Sequence, residues 1–262
     1  MWPPTAGTRA ARLHATAVGE PFGSARVPGS GVGQTGAGGR LPRGRGGTRG
    51  AMSEKNESVV RALLDDHGRT YAQEAGIRLR DTPAPLYQLL VLSLLLSARI
   101  KAEIAVATAR ALFDAGMHTP QGMADATWQQ RVDALGVGGY RRYDERTATQ
   151  LGQGAELLLR DYRGDLRRLR DGARTAERLQ EFPGIGPTGA DIFLREVQGI
   201  WPEFRPRIDG KALQGAERLG LPKSSRSLAG LVSDEELPQL AAGLVRAALH
   251  KEIVAEVRPG RR

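Results

Sequence analysis

The chain of 262 residues contains no cysteine. That excludes disulfides, thiolate zinc sites, cysteine-ligated iron–sulfur clusters and a cysteine nucleophile. Histidine is nearly as scarce. His14, His67, His118 and His250 are scattered, and no two have metal-ligand spacing, so no metal-dependent catalysis is expected. Aromatic residues make up only 5% of the chain. No apolar run approaches the roughly 18 residues that cross a bilayer, so no membrane partner is expected. No continuous apolar stretch follows the early arginines, which argues against a secretory signal. What remains is 40% hydrophobic and 26% charged, a globular composition. The net charge of +9 points to a polyanionic partner, nucleic acid first.

That charge is unevenly spread. Residues 1–51 hold 13 of the 34 Gly, seven Arg, no Lys and a single acid, Glu20, so they carry +6 of the +9. The stretch 29–50 has no apolar periodicity and is expected to be disordered, because it cannot bury enough surface to offset chain entropy. It is read as an upstream translated segment, with Met52-Ser53-Glu54 as a natural start. Contact with nucleic acid and a role as a transit peptide are the other two readings.

The body reads as all-α, with about ten helices joined by short loops. Val59, Val60, Leu63 and Leu64 recur at helical spacing. Residues 86–98 are apolar all round, the pattern of a helix buried in a bundle. Amphipathic helices are expected over 102–113, 144–162, 175–182, 187–197, 211–219 and 234–257, with further starts at Thr119-Pro120 and Thr127-Trp128.

The most informative segment is Phe182-Pro183-Gly184-Ile185-Gly186-Pro187-Thr188. One helix ends at Phe182, two glycines bracket Ile185, and Pro187 opens the next helix, where a missing N–H is harmless. The glycines permit positive φ and strip side chains from the turn. Ile185 tucks between the helices. Backbone N–H groups are left exposed at a helix N-terminus, an anion site that grips phosphate without reading a base. About 20 residues on comes Ile208-Asp209-Gly210-Lys211, an aspartate opening another helix.

Hairpin, helix and aspartate together resemble the endonuclease III-like DNA glycosylase superfamily, named for its helix–hairpin–helix, Gly/Pro loop and Asp. Leu95-Leu96-Ser97-Ala98-Arg99 looks like that family's buried helix running into a DNA-facing loop. Leu135-Gly136-Val137-Gly138-Gly139-Tyr140 looks like its glycine loop. The resemblance covers about residues 80–255. It implies a two-lobed all-α fold with a cleft between the lobes. One lobe, 83–200, is a six-helix bundle carrying the helix–hairpin–helix at about 175–198. The other joins 52–82 to 201–262. It further implies a monomeric, cytoplasmic, nucleoid-associated enzyme of base excision repair. Its partner is double-stranded DNA with a damaged or mismatched base, extruded into the cleft. Asp209 is then the catalytic carboxylate. Breaking an N-glycosidic bond builds positive charge on the sugar, which an anion stabilises while it orients or deprotonates water. Gly184, Ile185, Gly186, Thr188, Arg99, Lys101 and Tyr140 are the expected DNA contacts, with a monovalent cation on hairpin carbonyls. Arg141 and Arg142 are either further contacts or solvated helix-end charges.

The departures from the family narrow the activity. Bifunctional members carry a lysine where this chain has Thr188, and a hydroxyl forms no Schiff base. Lys211 is read as a solvated surface charge. Without cysteines the chain fits the branch lacking an iron–sulfur cluster, and no cofactor is expected. Ser93 stands where the mismatched-adenine branch has a glutamate. Three roles are open to Trp201 and Phe204: stacking on an extruded base, packing in the core, or joining the lobes. Tyr140 stands in for the family's apolar wedge, because Gly139 occupies its usual place. The expectation is a monofunctional DNA N-glycosylase. The alternative is a catalytically weak or inactive helix–hairpin–helix protein that recognises distorted DNA.

Overall fold

The computed structural model describes residues 47–142 and 144–257, all within one compact unit. Every regular element among them is helical. Most of the tail lies outside these residues, but α1 (Gly47–His67) begins inside the stretch read as tail. The expected boundary at 51 therefore marks no change of backbone structure. The short α2 (Tyr71–Glu74), not expected from the sequence, starts in a capping box. Thr70 Oγ1 accepts from Gln73 N, and the Gln73 side chain accepts from Thr70 N.

The next helix, α3 (Pro83–Ser97), starts at the Thr82-Pro83 break and is buried along most of its length. Against it packs α4 (Ala102–Asp114), which in turn meets α6 (Trp128–Val137), and α7 (Asp144–Tyr162) lies against α6 and α5 (Pro120–Asp125). The helix–hairpin–helix adds α8 (Thr175–Leu179) and α9 (Pro187–Val197), and α9 lies against α3. A second group forms from α10 (Gly210–Leu219), the short α11 (Ser225–Ala229), α12 (Leu237–Leu249) and α13 (Lys251–Val257). Here α12 packs on α1 and α10. The single helix expected over 234–257 is broken at His250, whose φ of −120° and ψ of 116° are not helical. The groups meet where α12 touches α9.

A side-chain clamp joins the first group to the loop before α10. Trp201 is fully buried, and its Nε1 donates to Asp81 Oδ1 at 2.9 Å. Its ring packs against Phe193 and Phe204, with Arg170 over its face at 4.8 Å. Of the roles open to Trp201, the structure excludes stacking on an extruded base and shows a packed core residue that also ties distant segments together.

Candidate nucleic-acid interface and cleft

The hairpin folds much as its sequence dictates, with two corrections. Gly184 has φ +86°, a left-handed conformation that excludes most residues, and an added Cβ would meet Gln150 Oε1 at 2.8 Å. Gly186 has an ordinary φ of −97° and open space where a Cβ would go. The fold itself therefore does not require glycine at 186. Ile185 is not a free contact: its side chain is buried and its N–H donates to Phe182 O at 3.0 Å. The N–H groups of Gly184, Gly186 and Thr188 make no hydrogen bond among the described residues. Free donors at the start of a helix such as α9 are of the kind that can receive an anion. Arg99 and Lys101 are exposed on the α3–α4 loop.

Tyr140 is corrected more sharply. Its ring is buried, and its hydroxyl accepts from Thr147 Oγ1 at 3.1 Å, so it is no wedge. The glycine loop is a packing contact: a Cβ on Gly138 would lie 2.2 Å from Thr108 Cα. Ser93 is also buried, with its hydroxyl donating to Leu89 O.

A cleft of about 520 Å³ opens where the two helix groups meet. This size lies within the usual range for small-molecule sites. From α9 a helical stripe faces it: Thr188, Asp191, Ile192 and Arg195. Opposite stand Asp209, Lys211 and Gln214 at the start of α10. Tyr71 and the apolar Leu96, Ala98 and Ile100 complete the walls. Thr188 and Asp209, paired by sequence reasoning alone, thus share one cavity. Lys211 lines it too, with Nζ donating to Gln214 Oε1 at 3.2 Å. It is exposed, but at the cleft rather than on a remote surface.

Asp209 is held on both oxygens. Oδ1 accepts from Ala212 N at 2.9 Å and caps α10, while Oδ2 is ion-paired with Arg195. Both side chains are buried, at 5% and 4% exposure. Sequence reasoning missed Arg195, although its place on the Thr188–Asp191–Ile192 stripe was readable. It also missed Gln198, which is fully buried. Gln198 Nε2 donates to Arg195 O and Arg207 O, and its Oε1 accepts from Arg207 N, each at 2.9 Å. This amide ties the end of α9 to the segment that leads to Asp209. Beneath, buried Glu196 accepts from Tyr71 N at 3.3 Å and Ala72 N at 3.0 Å. Burial pushes its carboxyl above the usual range, against the pull of Arg195 and these two donors.

Among the described residues no group of three metal-ligating side chains forms, and no helix is long and apolar enough to cross a membrane. No protein-family model matches the chain, and no curated protein is similar to it. Among solved structures it is similar to endonuclease III in a trapped covalent complex with DNA. The identity is 18% over 72% of this chain and 84% of that one, with a TM-score of 0.42. A non-covalent endonuclease III–DNA complex has a TM-score of 0.43 at the same identity and coverage. A thermostable thymine-DNA glycosylase is 16% identical over 76% of this chain and 88% of that one, with a TM-score of 0.47. None of these values carries a functional reading, which rests on the chain's own residues.

Proposed function

We propose that this protein is a monofunctional DNA N-glycosylase of the endonuclease III-like superfamily, acting on a damaged base in duplex DNA. One observation carries the reading. The helix that begins with free N–H groups at the hairpin also lines, with Asp209, a cleft of base-accepting size. Phosphate held at Gly184, Gly186 and Thr188 anchors the strand. The target base, extruded from the stack, enters the cleft. Asp209 stabilises the positive charge that builds on the sugar as the glycosidic bond breaks, and it orients the attacking water. The carbonyls of Pro183 and Gly184 accept no hydrogen bond among the described residues, which fits a monovalent cation beside the phosphate. Such a cation adds charge that neutralises the phosphate.

Thr188 supplies no amine, so release of the base ends the reaction at an abasic site. Borohydride trapping on abasic DNA checks this. A trapped complex that disappears in Lys211→Ala would make the enzyme bifunctional through the one lysine lining the cleft among the described residues. The main test is base release from duplexes carrying alkylated, oxidised or deaminated bases, with loss of activity in Asp209→Asn.

A second reading is favoured by the ion pair. Both oxygens of Asp209 are engaged and its charge is neutralised by Arg195. In that reading the protein recognises distorted DNA without cutting it. Tight, salt-dependent binding with no base released from any lesion would select it.

A further inference from the structure

The guanidinium of Arg195 is under-used. It carries several N–H donors, yet among the described residues its side chain donates only to Asp209. Its Nε is buried without a partner. Arg131 and Arg207 also have a buried Nε without a partner, but of the three only Arg195 lines the cleft. Arg195 lines the cleft, and beside it stands Tyr71, whose hydroxyl also has no partner among the described residues. Burial raises the pKa of that hydroxyl, so it stays protonated and is a donor at neutral pH. Of the other polar groups of the cleft, Asp191 is ion-paired with Arg207, and the Gln214 side-chain oxygen accepts from Lys211. Around Arg195 and Tyr71 the cleft therefore presents donors that no protein acceptor matches.

We infer that Arg195 is the base-reading residue of this cleft, and that it selects a purine presenting two adjacent acceptors, the O6/N7 edge of a 6-oxopurine. The inference rests on the glycosylase reading above. An arginine fork matches O6 and N7 in a bidentate pair, whereas adenine sets an N6 donor against it. Among damaged bases the deaminated purines, hypoxanthine and xanthine, carry this edge. Hypoxanthine opposite thymine is mispaired, so it leaves the stack at lower cost than a paired guanine. Engagement of the fork also draws the guanidinium away from Asp209 Oδ2, which frees the carboxylate once the right base is seated.

The test measures affinity for duplexes with one non-hydrolysable 2′-fluoroarabino nucleotide, at a single salt concentration. The base is hypoxanthine, 7-deazahypoxanthine or adenine. The full-length protein should bind the hypoxanthine duplex about tenfold tighter than either of the others. In Arg195→Gln the preference over 7-deazahypoxanthine should fall to about one, while the part of the preference over adenine that the mispair supplies remains. In Arg195→Lys, which keeps the charge but loses the fork, the preference over 7-deazahypoxanthine should be intermediate. Equal affinities for hypoxanthine and 7-deazahypoxanthine in the unaltered protein overturn the inference, and so does a preference between those two that survives Arg195→Gln. The three-base series in the unaltered protein decides the matter even if the variants misfold. Base release from the natural deoxyinosine duplex separates the two readings. Preference without release from any lesion upholds Arg195 as reader and sinks the glycosylase. Release from other lesions with no O6/N7 preference does the reverse.

Discussion

The hairpin and the cleft floor lie at opposite ends of one helix and work by opposite means. At the hairpin the useful groups are backbone N–H donors, and the side chains are small, apolar or missing. At the floor the useful groups are buried charged side chains: Arg195 on Asp209, and Glu196 on the N–H groups of α2. Backbone donors need only a conformation. Buried ion pairs need a partner, because a lone charge out of water is expensive. Substitutions at the floor should therefore damage folding and chemistry together, whereas the hairpin should separate them.

The largest effect belongs to Asp209. Asp209→Ala removes the cap and leaves Arg195 buried and unpaired, which should cost about 3–5 kcal/mol in chemical denaturation. Asp209→Asn keeps an acceptor for the cap, yet single-turnover base release should fall about 100- to 1000-fold. Unchanged release would break the proposed mechanism.

Next come the two hairpin glycines, which should not behave alike. Gly184→Ala forces a side chain into positive φ and against Gln150, for a loss of about 1–3 kcal/mol in thermal unfolding. Gly186→Ala should leave stability within about 0.5 kcal/mol of the parent and still weaken DNA binding, because the added methyl stands where phosphate approaches. If Gly186→Ala binds DNA normally, phosphate does not lie there.

Glu196 tests the floor by pH. Burial raises its pKa in the fold, so the folded chain holds this proton more tightly than the unfolded one. Its contribution is fully present below the unfolded pKa and is lost as pH rises through the folded value. The urea midpoint should fall over that window in the parent, and Glu196→Gln should lose this component of the slope. The smallest effect is Tyr140→Phe. It breaks the bond with Thr147 and should cost about 1 kcal/mol while leaving base release intact.

Much of this was readable from local pattern. The Thr119, Thr127 and Asp209 caps, the Pro187 start and the all-round apolar α3 follow from short-range rules, and the structure forms them where the residues dictate. The errors fall where a residue's fate depends on distant neighbours. Tyr140 had the right place in the loop for a wedge, but α7 supplies Thr147 to its hydroxyl and the ring is buried. Lys211 had the pattern of a helix-surface charge, but α9 and α3 bring a cleft to that surface. The end of α1 in the tail and the break at His250 lay beyond periodicity, which carries no sharp boundary.

By itself, then, the sequence determined the helical class, the hairpin and the aspartate that follows it, because caps, prolines, glycines and apolar spacing act over a few residues. Only the tertiary structure decided that Asp209 faces Arg195. Their separation in the chain says nothing about distance until Gln198 binds the end of α9 to the segment before α10. The charge that first suggested nucleic acid lies mostly in the tail. The groups on which the proposed DNA binding rests are uncharged N–H donors, whose availability is decided by which backbone bonds the fold leaves unmade.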